Sequence, residues 1–282
     1  MRNFELTTFA TAENLARTVA AKWLDEIESA SRAGKWHCVA LSGGRITQKF
    51  FASVVEQAKA RKIGDGGTPS LPGNVHFFWA DERCVPPEDK ESNFLLANEL
   101  LFAPLKISEN QIHRIRGELP PETAAAQAAA EILRIVPTGS PSPRRGEGRG
   151  EEAVFTNPTP LAPTLSPLGR GKGVNSLPAL DLIFLGMGED GHVASLFPGE
   201  MKTAGSDQAV YRAVRNSPKP PPNRVTLGYA AIAAARQVWV LVSGAGKKTA
   251  LRESLDAHGD TPLARVTKIR TQTIIFSDFL TV

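Results

Sequence analysis

Four apolar runs of strand length, each followed at once by a glycine-rich or charged loop, constrain the fold of this 282-residue chain more than any other feature. The runs cover residues 36–41, 75–80, 182–185 and 238–242. They are unbroken rather than alternating, which is typical of strands buried on both faces of a parallel sheet. Residues 12–31 carry apolar side chains at helical spacing. The pattern predicts an α/β fold: an open, mostly parallel, Rossmann-like sheet with helices on both faces.

The loops that follow the four runs are expected to lie together, because the carboxyl ends of parallel strands share one edge of a sheet and ligands bind there. They are Ser42-Gly43-Gly44-Arg45, Asp81-Glu82-Arg83, residues 186–192 and residues 243–247. The first and last of them precede predicted helices, whose free amides and dipole favour a negative charge. Lys247 adds a cation at the last loop. The sequence therefore predicts an anion site built from several turns.

The third loop carries the residues best suited to proton transfer. Gly188 and its neighbouring glycines let the backbone turn sharply and approach a ligand closely, and His192 follows the carboxylate of Asp190. An imidazole with a pKa near the usual value of about 6.5 is largely neutral at neutral pH and can act as a general base. The glycine spacing also matches a dinucleotide fingerprint, but that fingerprint normally opens the first βαβ unit. A glycine turn with a satisfied loop histidine is the other interpretation.

The segment GMGEDGHVASLFPG at 186–199 resembles the signature of the 6-phosphogluconolactonases, whose superfamily includes the glucosamine-6-phosphate deaminases. DERCVP at 81–86, followed by a Ser-Asn pair at 92–93, is similar to the lactonase pattern, whereas the deaminases resemble DEY at that turn. A proline-rich segment before Arg224 and the Ser-Gly-x-x-Lys of 243–247 extend the resemblance over nearly all of the chain outside residues 137–178. One loop departs from the family, because Arg45-Ile46 stands where SGGSTP is usual.

The resemblance implies hydrolysis of 6-phospho-D-glucono-1,5-lactone to 6-phospho-D-gluconate, in the oxidative pentose phosphate pathway, by a water that His192 activates. On this interpretation Asp190 orients the imidazole, and Arg83 stabilises the developing negative charge. The residues expected to hold the substrate are Ser42, Gly43, Gly44, Arg45, Asp81, Glu82, Gly188, Arg224 and Lys247. Two alternatives stay open: a glucosamine-6-phosphate deaminase or isomerase, and a sugar-phosphate-binding regulator without catalysis. No cofactor and no metal ion are expected.

Two segments are expected to lie outside the regular elements. Pro and Gly fill about a third of residues 137–178, the range of low-complexity chain. This segment is predicted to be a disordered surface insertion within a single domain that spans residues 1–282. Its five Lys/Arg against three Asp/Glu leave a basic tether for an acidic partner as the alternative. Residues 262–266 are expected to form a turn.

Composition argues against several other classes of protein. A net charge of +4 is too small to indicate nucleic-acid binding by itself. The N-terminus lacks an apolar signal core and no stretch approaches 18 apolar residues, so no membrane association is expected. Cys38 and Cys84 lack metal-ligand spacing and are expected to be buried thiols in a reducing cytoplasm. The expected partner is a small sugar phosphate, and nothing in the sequence fixes the oligomeric state.

Overall fold

The computed structural model describes residues 3–61, 70–139, 177–200 and 208–279. Its strands are β1 (Phe4–Thr8), β2 (His37–Leu41), β3 (Val75–Trp79), β4 (Asp81–Arg83), β5 (Thr138–Gly139), β6 (Leu177–Pro178), β7 (Leu182–Gly186), β8 (Tyr211–Val214), β9 (Arg224–Leu227), β10 (Gln237–Val242) and β11 (Thr273–Ser277). Its α-helices are α1 (Ala12–Arg32), α2 (Arg45–Arg61), α3 (Asn93–Ala97), α4 (Pro121–Ile135), α5 (Tyr229–Ala234), α6 (Lys248–Leu255) and α7 (Pro262–Ile269). A π-helical turn (Asn98–Phe102) continues α3, and 3₁₀ turns cover Glu109–Gln111 and Ala245–Lys247.

A six-stranded parallel sheet forms the centre of the protein, in the order β1-β11-β10-β7-β2-β3. Strands β2, β7 and β10 are buried at nearly every position. Because successive side chains of a strand point to opposite faces, both faces of the sheet must be covered. The predicted open parallel α/β sheet is confirmed. Strands from the two ends of the described chain meet in it, since β1 pairs with β11.

Helix α1 shows how the helices cover this sheet. Its buried side chains recur at helical spacing, as the sequence predicts: Leu15, Ala16, Val19, Ala20, Trp23, Leu24 and Ile27. The Trp23 ring lies 5.6 Å from Phe50 of α2 and 5.3 Å from Phe184 of β7, measured between ring centroids. Its indole N–H donates to His37 Nε2 at 3.1 Å, which satisfies a buried donor. This helix face therefore belongs to the core and leaves no surface there for a ligand.

A second, antiparallel sheet of β4, β9 and β8 lies at the carboxyl edge of the main sheet. A single residue separates its first strand, β4, from β3. The charged run 81–83, expected as a turn, forms strand β4 in it. Arg83 pairs directly with Arg224 of β9. Since directly opposed residues project from the same face of a sheet, this pairing brings two arginines side by side.

Residues 262–266 form the start of helix α7, so the predicted turn is wrong. The Thr261 hydroxyl accepts a hydrogen bond from the Ala264 amide at 3.1 Å, which caps the helix. Pro262 occupies the first turn, where its missing N–H breaks no helical bond. A threonine followed by proline and an apolar periodic segment is a signal for a helix start, because proline begins helices as well as interrupting them.

The two ends of the predicted insertion 137–178 lie next to each other. Strands β5 and β6 form a two-residue antiparallel pair, with Thr138 opposite Pro178 and Gly139 opposite Leu177. The described residues on either side of this gap in the chain are therefore neighbours in space. Residues 140–176, which make up the rest of the predicted insertion, lie outside the described residues.

Candidate active site

A cleft of about 110 Å³ opens at the carboxyl edge of the main sheet, where β10, β7, β2 and β3 are consecutive neighbours. All four predicted strand-end loops contribute to it, together with residues from α3 and β9. The lining residues are Ser42, Gly43, Gly44, Arg45, Ile46, Asp81, Arg83, Asn93, Gly186, Met187, His192, Ala194, Arg224 and Lys247. The fold thus brings most of the predicted site residues into one cleft.

Three predicted site residues, Asp190, Gly188 and Glu82, are not among the lining residues. The buried carboxylate of Glu82 accepts hydrogen bonds from the backbone amides of Asn93 and Phe94, both at 2.8 Å. Burial raises the pKa of Glu82 to about 7, against the opposing effect of these backbone bonds. This carboxylate fixes the first turn of α3, and the geometry accounts for it without a substrate contact.

The imidazole of His192 is held from behind by Asp190. Its Nδ1 contacts Asp190 Oδ1 within hydrogen-bond distance, and its backbone N–H donates to the same oxygen at 3.3 Å. A carboxylate only accepts, so Nδ1 carries the proton and Nε2 is left as the basic nitrogen. The ring also packs on Phe197, with 4.8 Å between centroids. Asp190 and Phe197 together fix the tautomer and the orientation of the imidazole.

The environment of this pair favours a neutral imidazole beside an ionised carboxylate. Burial lowers the pKa of His192 below its usual value, and the hydrogen bond to Asp190 opposes that shift only in part. Burial acts to raise the pKa of Asp190, but the hydrogen bond with His192 and the charge of Lys219 outweigh it, so the pKa is lowered. At neutral pH His192 is therefore available to accept a proton.

Lys219, which the sequence analysis did not single out, faces the same pair. Its Nζ lies 3.6 Å from Asp190 Oδ1 and 3.4 Å from His192 Nδ1. The loop that carries it is held by Arg224, whose guanidinium donates to the carbonyls of residues 219–221 at 2.9–3.1 Å. The sequence around Lys219, a run of prolines, does not predict that its side chain reaches Asp190 and His192, because this position depends on contacts with distant segments.

Asp81 presents a carboxylate to the cleft from a rigid setting. Its Oδ2 accepts a hydrogen bond from the buried Ser195 Oγ at 2.6 Å, and its backbone carbonyl accepts from Asn93 Nδ2 at 2.9 Å. Arg224 Nη1 donates to the same Ser195 hydroxyl at 3.4 Å. Asn93 and Ser195 are absent from the predicted site, although the signals were present: a Ser-Asn pair after DERCVP, and a serine within the 186–199 signature.

Arg83 and Arg224 make one side of the cleft positive. Burial lowers the pKa of Arg224. The negative charge of Asp81 opposes this lowering, and the positive charge of Arg83 adds to it. Arg83 Nη1 donates to the Glu91 carbonyl at 2.6 Å, while its buried Nε has no hydrogen-bond partner among the described residues. Like charges directly opposed across a strand pair are destabilising. Glu91 Oε2, 3.5 Å from Arg83 Nη1, offsets part of this repulsion, and the two guanidinium groups can donate hydrogen bonds to a negatively charged or carbonyl-bearing ligand.

The glycine loop before α2 and the loop after β10 form the other side. Gly43 packs so closely on Asn93 that an added Cβ would lie 2.0 Å from Asn93 Oδ1. Gly44 has a φ of +113°, a conformation that favours glycine, and the N-terminus of α2 follows at Arg45. Lys247 extends from the facing loop, and its pKa is lowered by burial and further by the charge of Arg45. Helix amides and two cations make this side suited to an anion.

The described part of the chain shows neither a metal site nor a membrane-spanning helix. Within the ranges given above, no group of three or more His, Cys, Asp and Glu side chains is arranged to hold a metal ion. Nor do those ranges contain a helix with the length and apolar character needed to cross a bilayer. A larger groove of about 870 Å³ lies beside α3 and α4, but none of its lining residues comes from the four strand-end loops.

Comparison with known proteins gives a consistent result. Residues 10–275 match the family model described as glucosamine-6-phosphate isomerases/6-phosphogluconolactonase. The chain is 30% identical over 249 residues to the 6-phosphogluconolactonase of Treponema pallidum, covering 88% of this chain and 85% of that one. It is similar to the solved 6-phosphogluconolactonase of Thermotoga maritima, with a TM-score of 0.67, 26% identity and coverage of 97% and 98%. The enzyme from Trypanosoma brucei has a TM-score of 0.74, 23% identity and coverage of 98% and 97%, a likeness of fold alone.

Proposed function

We propose that this chain hydrolyses 6-phospho-D-glucono-1,5-lactone to 6-phospho-D-gluconate. The basis is that the chain belongs to the glucosamine-6-phosphate isomerase/6-phosphogluconolactonase family. It is a hydrolase of the 6-phosphogluconolactonase kind, and the reaction belongs to the oxidative pentose phosphate pathway, in the cytoplasm. One observation carries the proposal: a neutral imidazole, backed by a carboxylate, lies in a cleft whose walls carry several cations. A phosphorylated ring ester needs both features, a base for the attacking water and positive charge for the dianion.

His192 is the general base of the proposed reaction. Its Nε2 takes a proton from a water molecule, and the water oxygen forms a bond to the lactone carbonyl carbon. The tetrahedral intermediate then expels the ring oxygen, which receives the proton back from His192 and becomes a hydroxyl. The new carboxylic acid ionises in water. Asp190 stabilises the imidazolium that forms between the two proton transfers, as does any anion close to a developing positive charge.

Arg83 stabilises the oxygen that becomes negative in the tetrahedral intermediate. Its side chain lines the cleft together with His192 and is 23% exposed, so the guanidinium can reach a bound ligand. A donor placed in advance where negative charge develops lowers the barrier, because no reorganisation is required during the reaction. Asp81, held in place by Ser195, is positioned to accept hydrogen bonds from the sugar hydroxyls.

The phosphate lies on the side of the cleft formed by the glycine loop, Arg45 and Lys247. The Ser42 hydroxyl donates to the Phe184 carbonyl at 2.8 Å and so ties this loop to β7. Gly43 and Gly44 lie directly before α2, whose first backbone amides have no partner within the helix and can donate to an anion. Arg224 shapes the facing wall through its bonds to residues 219–221. Binding of the distant phosphate orients the ester for attack.

Replacing Lys247 by alanine is expected to raise KM by about 10- to 100-fold, since a hydrogen bond to a charged group contributes roughly 1.5–3 kcal/mol. Steady-state kinetics with freshly prepared lactone would measure the change. Lys248→Ala is the matched control, because the adjacent lysine does not line the cleft and should leave KM within about twofold. A larger effect at Lys248 than at Lys247 would show that the phosphate is held elsewhere.

Replacing Asp190 by asparagine is expected to change the pH profile of kcat/KM. The base works when neutral, so activity is retained above the pKa of His192 and lost as the pH falls through it; burial places that pKa below about 6.5. Because Asp190 raises the pKa of His192, its neutralisation should move the acid limb to lower pH. The plateau should fall at least about tenfold, since the Nδ1–H tautomer is no longer enforced. Asp25→Asn, on the exposed side of α1 and outside the cleft, should leave the profile unchanged. An acid limb that stays in place in Asp190→Asn would exclude the proposed coupling.

The overall proposal is tested by a coupled or pH-stat assay with fresh lactone, with the spontaneous opening of the lactone subtracted. Turnover above that background is expected. Release of ammonia from glucosamine 6-phosphate instead would identify a deaminase. Tight binding of 6-phosphogluconate without turnover of the lactone would identify a regulator.

A further inference from the structure

Glu189 lies at the mouth of the cleft, between the two loops that carry its outer cations. Its Oε1 is 3.8 Å from Arg45 Nη2, at the start of α2. The same carboxylate packs against Gly246, where an added Cβ would lie 3.1 Å from Oε1. Gly246 directly precedes Lys247. A single carboxylate thus bridges the beginning of α2 and the loop after β10.

The charge of Glu189 acts on both cations. It forms an ion pair with Arg45 and opposes the effects of burial and of Arg45 on the pKa of Lys247. The neighbouring Asp190 already supplies the partner of His192, so the imidazole does not account for Glu189. The side chain of Glu189 is 63% exposed and that of Arg45 is 86% exposed, so the carboxylate can move away into water without crossing packed structure.

We propose that Glu189 is a built-in counter-ion of the anion subsite, which a bound phosphate must displace from Arg45 and whose charge the phosphate replaces near Lys247. The inference rests on the proposed function, because it concerns the phosphate end of the same cleft. A phosphate monoester carries a charge of about −1.5 to −2 near neutral pH and three acceptor oxygens, against −1 and two oxygens for a carboxylate. The dianion therefore outcompetes Glu189, whereas a singly charged ligand gains little. Glu189 selects for dianions and weakens their binding enough to speed their release.

The test is the binding of inorganic phosphate to the full chain, measured by calorimetry at pH 8 and low ionic strength. Glu189→Gln keeps the shape and removes the charge, and we expect its dissociation constant for phosphate to fall about two- to fivefold, the range for an exposed ion pair. In 0.5 M sodium chloride the difference should shrink below about twofold, since salt screens exposed charges. With Arg45→Met already present, the effect of Glu189→Gln should be smaller, because one of the two cations is gone.

Glu56→Gln is the matched control. Glu56 is exposed on the same helix as Arg45, about 16 Å further along the axis, and its replacement should leave phosphate binding unchanged. Unchanged or weaker binding of phosphate by Glu189→Gln would overturn the inference, as would an absence of phosphate binding by both proteins. Phosphate binding needs no turnover, so the lactone assay on the same samples separates the two claims. A wild-type protein that binds phosphate as described but opens no lactone contradicts the proposed function and leaves the counter-ion in place.

Discussion

The variant His192→Ala is expected to hydrolyse the lactone about 10²- to 10⁴-fold more slowly than the wild-type protein, the usual contribution of a general base. The expectation follows from geometry and charge together. His192 is the one imidazole that lines the described cleft, Asp190 holds its Nδ1 proton, and burial keeps it neutral at pH 7. No other group lining the cleft offers a neutral nitrogen of suitable basicity. The rate should be measured as kcat after subtraction of spontaneous hydrolysis.

The control for this variant is His258→Ala. His258 is exposed and does not line the cleft, so its removal should leave kcat within about twofold. Circular dichroism and the unfolding midpoint should be close to wild type for both variants, since the His192 side chain lies at the cleft and not in the central core. Full activity of His192→Ala would mean that another group activates the water.

The central sheet was predictable from the sequence, because strands buried on both faces carry unbroken apolar runs whatever their neighbours are. The order β10-β7-β2-β3 was not predictable in detail, since pairing depends on contacts between distant segments. Strand β4 is an instance: its charges suggested a turn, and only the antiparallel partner β9, far along the chain, makes 81–83 a strand. The start of α7 was predictable but was missed, because Thr261 and Pro262 are a local signal for a helix start and residues 262–266 were expected to form a turn.

The candidate site also contains residues that could be predicted from the sequence and residues that could not. His192, Arg83 and Lys247 were predictable because each lies within six residues of the end of a buried strand, and the strand ends of a parallel sheet meet at one edge. Lys219 was not predictable, because its place beside Asp190 depends on the hydrogen bonds by which Arg224 holds residues 219–221. Contacts between distant segments cannot be predicted from the local sequence. They are predictable only where a local pattern, such as an apolar strand or a helix cap, already fixes the position of the residue.

The variant Gly188→Ala should abolish most of the activity without removing any functional group. A Cβ at this position would lie 2.0 Å from both Cε1 and Nδ1 of His192 and 2.6 Å from Asp190 Oδ1. These distances are far below van der Waals contact, so the imidazole and its carboxylate must move. A displacement of about 1 Å in a catalytic group can cost about 10²-fold, and we expect kcat/KM to fall by at least that factor.

The same variant separates the position of the base from the binding of the phosphate. Arg45 and Lys247 belong to other loops, so the dissociation constant for inorganic phosphate should stay within about threefold of wild type while turnover is lost. Gly73→Ala is the matched control, because an added Cβ there has nothing within 4 Å and both activity and phosphate binding should be retained. Normal turnover by Gly188→Ala would show that the imidazole need not occupy the position next to Asp190, and the role proposed for that contact would be wrong.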